Sequence, residues 1–127
     1  MTTDSKNLET LAIKIAYYIV KEINNSSNKS KLKNLVDKAL GVLSNDGVYA
    51  YYVYIISQNK KEVEEIFLDK LEVLFELLGI KAKKEDIEDK QLYFQKLSED
   101  LHKLLLFKQI LEKILIYARY HLRAIEG

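Results

Sequence analysis

The residues best able to do chemistry are few: two histidines, no cysteine, and scattered carboxylates and hydroxyls. Glu99-x-x-His102 has the i, i+3 spacing of half a carboxylate di-metal centre. Such a centre takes the same pair again from a second helix, together with further glutamates. His121 brings no second pair, so no metal is expected. Asp86-x-Glu88-x-Lys90 fails as a calcium loop, because a lysine stands at a ligand position and the required glycine is missing. The four glycines are isolated, which excludes a glycine-rich phosphate cradle. No serine sits in a nucleophile elbow.

One pair invites a nuclease reading. Small helical nucleases of the HEPN superfamily set a histidine several residues beyond an arginine, whereas only Tyr120 separates Arg119 from His121 here. Residues two apart on a helix point about 200° from each other and cannot share one phosphate. Neither an enzyme nor a cofactor is expected.

What remains is cationic, and cations bind rather than catalyse. Arg119 and Arg123, the only arginines, are four apart and share a helix face, with Lys108 three turns back on nearly the same side. Such a row can follow a phosphate backbone without reading sequence, although cations near a helix C-terminus also simply suit its dipole. Lys29, Lys31 and Lys33 stand in and before the first turn of a second helix, where the dipole favours anions instead. They read as a solvated rim or as phosphate contacts. Tyr49, Tyr51, Tyr52 and Tyr54, beside Lys60 and Lys61, read as packing, with a stacking platform for single-stranded bases as the sharper alternative.

The elements that must position these residues are helical. Leu8, Leu11, Ala12, Ile15, Tyr18, Ile19 and Ile23 predict a first helix over 7–23. Ile13, Tyr17 and Val20 add a second apolar strip, which predicts cover on two sides. Residues 1–6 are expected to be a flexible lead-in. Asn24 to Asn28 favour a turn. Leu32, Leu35, Val36, Ala39, Leu40 and Leu43 predict a second helix over 30–44, stopped by Ser44-Asn45-Asp46-Gly47. Val48 to Ile56 is β-branched and aromatic enough for a strand. A strand without partners is not viable, so a short buried helix over 47–58 is predicted. Val63, Ile66, Phe67, Leu71, Leu74, Phe75 and Leu78 predict one helix over 61–78, ended by Gly79.

A lysine-rich loop over 80–85 then precedes a fifth helix opened by Asp86, Glu88 and Asp89 and carrying Leu92, Tyr93, Phe94 and Leu97. Either Ser98 caps a sixth helix or the two run on as one. From Leu97 to Ile125, Leu101, Leu104, Lys108, Leu111, Leu115, Ala118, Leu122 and Ile125 alternate at three and four. Leu105, Leu106, Phe107, Ile110, Ile114 and Ile116 widen that stripe until the helix must be covered on several sides. The expectation is an all-α, single-domain bundle of five to six helices over 1–127, organised on a long C-terminal helix.

At 127 residues and 48% hydrophobic, such a domain buries roughly two-thirds of its unfolded surface without cross-links. The net charge of +1 leaves room for a local basic patch only. Without cysteine there is no disulfide framework, and cytoplasm is the default compartment. The polar start lacks the apolar core of a signal peptide, and Leu104–Leu106 is far short of the ~20 residues of a membrane span. Abundant Lys, Glu and Ile without proline or tryptophan is a composition favoured in thermophiles, as in many archaea.

The order of features carries a resemblance. Lys29-Ser30-Lys31-Leu32-Lys33-Asn34-Leu35-Val36-Asp37-Lys38-Ala39-Leu40 leads into Asn45-Asp46-Gly47-Val48, then Ser57-Gln58-Asn59-Lys60 and Leu77-Leu78-Gly79. The chain closes on Tyr117-Ala118-Arg119-Tyr120-His121-Leu122-Arg123-Ala124. From about Leu8 to Ala124 this resembles the small helical subunit of type III CRISPR–Cas effector complexes, the Cmr/Csm small-subunit family. Gly41 or Val42 stands where a proline is common in that family, and Asp46 interrupts its Asn-Gly pair, which leaves the subtype open. The resemblance implies a non-catalytic scaffold whose copies stack head to tail beside the guide-binding backbone. Its implied partners are other effector subunits, copies of itself, and guide and target RNA, with no small-molecule substrate and no membrane. Lys29, Lys31, Lys33, Lys60, Lys61, Lys108, Arg119 and Arg123 are then the candidate RNA contacts. A helical interaction module unrelated to CRISPR is the alternative, and a small HEPN-type RNase a third reading.

Overall fold

The buried positions of the last helix run Phe107, Ile110, Leu111, Ile114, Leu115, Ala118 and Leu122, and the other helices are laid against them. The structure, a computed structural model, describes residues 2–80 and 90–126, with side chains from Leu8 to Ile80 and Lys90 to Ile125. Among these there are helices and no strands: α1 (Thr2–Asn24), α2 (Lys29–Asp46), α3 (Val48–Ser57), α4 (Lys61–Phe67), a 3-10 turn (Asp69–Leu71), α5 (Glu72–Leu77), α6 (Lys90–Ser98) and α7 (Leu101–Glu126). This is the expected all-α bundle with a long C-terminal helix. The lysine-rich loop and the acidic start of the fifth helix at Asp86, Glu88 and Asp89 lie outside the described residues.

α1 starts at Thr2, ahead of the Asn7 that apolar spacing gives. Residues 2–6 are polar in sequence and leave no apolar signal. The helix packs Ala12, Ile15, Ala16, Ile19 and Ile23 inward. The expected second covered side is absent among the described residues: Val20 is buried, but Ile13 and Tyr17 are 51% and 56% exposed. Glu9 meets Lys113 and Tyr117, and Ile13 borders the same groove as Tyr117, Tyr120 and His121. Positions therefore rise together, so α1 and α7 run side by side in one direction. α2 runs the other way, since Ser44 donates to Glu112 at 2.8 Å while Asp37 lies beside Arg119. That antiparallel contact brings the start of α2 to the end of α7.

The tie between α1 and α7 is ionic as well as apolar. Lys113 Nζ lies 2.7 Å from Glu9, and the Tyr117 hydroxyl donates to it at 2.6 Å. The Lys113 hydrogen bond, and then that from Tyr117, hold the Glu9 carboxyl below its ordinary range. Bonding to Glu9 pushes both Lys113 and Tyr117 up. The Glu9 share of stability is therefore present above the ordinary carboxylate pKa and is lost as pH falls through the lowered folded value. The Lys113 and Tyr117 shares are present below their ordinary values and are lost as pH rises through the raised ones. Thermal melts of Glu9→Gln should show a shallower acid-side loss than wild type.

The predicted fourth helix is two pieces. Ile66, Phe67 and Leu68 are consecutive and all buried. A straight helix cannot turn three successive residues to one core, so the chain tightens into the 3-10 turn after Leu68. The Leu71 amide then bonds Leu68 O at 2.9 Å and leaves the Phe67 carbonyl without its helical donor. Tyr51 supplies one: its buried hydroxyl donates to Phe67 O at 2.7 Å. Burial pushes the Tyr51 hydroxyl far above the ordinary phenol range, so it stays a donor at all ordinary pH. Tyr51→Phe should cost about 1–3 kcal/mol in denaturant unfolding, because it strands a buried carbonyl.

Other boundaries follow local chemistry. Gly47 (φ +96°) ends α2 with its amide on Leu43 O, and Gly79 (φ +75°) ends α5 with Ile80 N–H on Phe75 O. Positive φ at these ends is the reason glycine stands there. Val48–Ser57 is the short buried helix expected, not a strand. α6 and α7 are separate, and the cap is Asp100 rather than Ser98. Asp100 Oδ1 accepts the Lys103 amide at 3.1 Å, whereas Ser98 Oγ donates back to Gln95 O at 2.6 Å and closes α6. A carboxylate is the stronger acceptor at a helix start. The ends of α7 also differ from expectation: Leu101, Leu105, Leu106 and Ile125 stay exposed, because the flanking helices bury it fully only between Phe107 and Leu122, with Leu104 partly covered.

Candidate nucleic-acid interface

The first half of α2 lies between two clefts. On one side the antiparallel contact with α7 gathers Lys33, Asn34 and Asp37 with Arg119, Leu122 and Arg123 around about 160 Å³. Leu122 is buried and serves as an apolar base beneath the charges. Two guanidinium groups and an ammonium facing one small space suit a phosphate, which guanidinium binds through two parallel hydrogen bonds. Lys33 and Arg119, 86 residues apart by the numbering, meet only through this packing.

Arg119 is held loosely. Its Nε lies 3.7 Å from Asp37 Oδ1, well beyond the ~2.7–2.9 Å of a charge-assisted bond. That Nε is buried and makes no hydrogen bond among the described residues. Its guanidinium carbon sits 6.0 Å from the Tyr120 ring centroid, at the limit of cation–π attraction. Asp37 therefore attracts Arg119 without satisfying it, and an incoming anion competes with Asp37 for the same group. Asp37→Asn should tighten phosphate binding up to about fivefold, the scale of one exposed ion pair, as read by RNA titration at low salt.

On its other side α2 meets the end of α3 and the start of α4 around about 230 Å³, where Lys31, Asn34, Lys38, Tyr54, Gln58 and Lys60 face one another over Leu32, Leu35 and Val63. Glu62 also lines this cleft, but it accepts Ser26 Oγ at 2.8 Å and Asn28 Nδ2 at 3.2 Å. Those bonds pin the turn between α1 and α2 to α4. Asn28 makes no side-chain cap, and the first turn of α2 carries no acid. Asn34 borders both clefts, so the two form one basic surface across α2.

The candidate residues divide on this surface. Lys31, Lys33, Lys60, Arg119 and Arg123 come together on it. Lys29 and Lys61 stand nearby without lining either cleft, and Lys108 is about 16 Å along α7 from Arg119. Lys38 and Asn34 were not singled out by sequence, although Lys31, Asn34 and Lys38 fall at i, i+3 and i+7 on one face.

The tyrosine cluster divides too. Tyr51 is buried, Tyr52 stacks on Phe94 with centroids 4.6 Å apart, and the Tyr49 hydroxyl accepts from Gln91 at 2.7 Å. Only Tyr54 turns toward the basic surface. Arg119 and His121 occupy different grooves, the second with Ile13, Tyr117 and Tyr120. Among the described residues no group of His, Cys, Asp or Glu forms a metal cage, and no helix is long and apolar enough to cross a membrane. No protein-family model, curated protein or solved structure matches the chain.

Proposed function

We propose that this protein is a non-catalytic RNA-associated scaffold, and that it serves as the small helical subunit of a type III CRISPR effector complex in the cytoplasm. The convergence of Lys33, Arg119 and Arg123 in one cleft carries the RNA part of this reading. These cations sit on rigid helices and contact the backbone rather than base edges, so binding is largely independent of sequence. The CRISPR part rests on the resemblance. Of its three most telling pieces, the basic entry to α2 and the cationic end of α7 supply all six residues of that cleft, and the turn at Asn45-Asp46-Gly47 lies outside it. Stacking of copies, and contact with other effector subunits, would use apolar surface such as the groove of Ile13, Tyr117 and Tyr120.

Titration of labelled single-stranded RNA tests the first part. Log K against log salt should fall with a slope of about −4, roughly 0.7 for each of Lys31, Lys33, Lys38, Lys60, Arg119 and Arg123. Absence of binding at low salt would favour the second reading, a protein-interaction module that uses the apolar groove alone. The CRISPR assignment is tested by purifying the tagged chain from its own cells. Guide RNA and repeat-binding backbone subunits should co-purify, and a preparation without them contradicts the assignment.

A further inference from the structure

We infer that the cleft between α2, the end of α3 and the start of α4 takes one unstacked nucleotide of a single-stranded RNA, with its base inside and its phosphate at the lysines. This rests on the RNA-binding reading and goes beyond it, because the arginine cleft needs only a backbone. The space of about 230 Å³ has an apolar floor of Leu32, Leu35 and Val63, all buried. The half-exposed Tyr54 forms a wall, and its hydroxyl has no hydrogen-bond partner among the described residues. Asn34 and Gln58 each present an amide, which can both donate to and accept from a base edge. Gln58 Nε2 is tied to Tyr54 O at 3.2 Å, so its side chain is fixed with the amide oxygen left to accept.

Lys31, Lys38 and Lys60 complete the lining and make no ion pair among the described residues. The carboxylate of Glu62 is already engaged by Ser26 and Asn28. A bare phosphate would use the lysines but leave the apolar floor and the ring wet. An apolar ligand would cover the floor but leave three cations unanswered. A nucleotide satisfies both, with its base stacked on the ring and its phosphate at the rim. Paired bases are held in the helical stack, so a duplex cannot deliver one. Asn34 then passes the strand directly from this pocket to the arginine cleft.

The test uses the isotope-labelled full chain, titrated with adenosine or uridine 5′-monophosphate and, in parallel, with ribose 5-phosphate. Amide signals of Asn34, Tyr54 and Gln58 should move with the nucleotides, at affinity roughly tenfold above ribose 5-phosphate. Equal affinity would make the cleft a plain anion site, and no movement would make it no site. Either result overturns the proposal. Tyr54→Leu should erase the tenfold preference, whereas Tyr54→Phe should keep it. A labelled oligonucleotide separates this inference from the reading beneath it. If an abasic strand binds as tightly as the intact one, the pocket fails alone. If Arg119→Ala/Arg123→Ala binds as tightly as wild type, the underlying reading fails.

Discussion

Phe107→Ala should lower the free energy of unfolding by about 3–5 kcal/mol, measured as a fall in denaturant midpoint with an unchanged slope. Phe107 is fully buried, with its ring 4.9 Å from Phe75 and 6.0 Å from Phe94. Phe94 in turn stacks on Tyr52, so one ring on α7 anchors the aromatic cluster that joins α3, α5 and α6. Truncation would open a cavity where several helices meet, and none can close it alone. Domains of this size are stable by only about 5–15 kcal/mol, so the variant should lose about a fifth of its margin or more. Leu105→Ala, two positions away on the exposed side, should stay within about 0.5 kcal/mol of wild type. Equal losses at the two positions would show that α7 is covered all round.

The largest functional effect should come from Arg119→Ala/Arg123→Ala. Each arginine offers charge-assisted hydrogen bonds worth about 1.5–3 kcal/mol when the partner is charged, so the pair should weaken RNA binding by at least about 100-fold at low salt. The salt slope should flatten by about 1.4 as two phosphate contacts disappear. Lys108→Ala, on the same helix but about 16 Å from Arg119, should change binding little. Melting of the double variant should match wild type, because Arg119 is only loosely paired with Asp37 and Arg123 is exposed.

The positions of the helices were legible because apolar spacing records which face is buried. Val48–Ser57 shows how far that goes: its β-rich composition was overruled by the absence of any partner strand, and it is a helix. Spacing could not reveal the break at Leu68. Three adjacent buried side chains fit either a helix covered all round or a tightened turn, and the choice depends on Tyr51 reaching the Phe67 carbonyl. Nor could it separate Leu105 from Phe107, since exposure depends on where neighbouring helices end. At the cap before α7, Ser98 and Asp100 are both good residue types, and only the geometry gives the role to Asp100.

The candidate interface was half legible. Arg119 and Arg123 follow from their spacing, and so does the cluster at the start of α2. Their meeting does not, because it needs the antiparallel run of α2 against α7. Lys108 shares their side of α7 but lies about 16 Å along the axis from Arg119 and lines neither cleft. Lys38 sits a full turn past the lysine cluster and joins the surface because it shares the Lys31 face.

The claim that RNA lies across α2, between the end of α7 and the start of α4, is tested most directly by ultraviolet cross-linking. Single-stranded RNA bound to the unmodified protein at low salt is irradiated, and the attached peptides are identified by mass spectrometry. Cross-links should concentrate on Lys31–Lys38, Tyr54–Lys60 and Arg119–Arg123. Cross-links confined to the outer face of α1 at Ile13 and Tyr17, or to α5, would contradict the account.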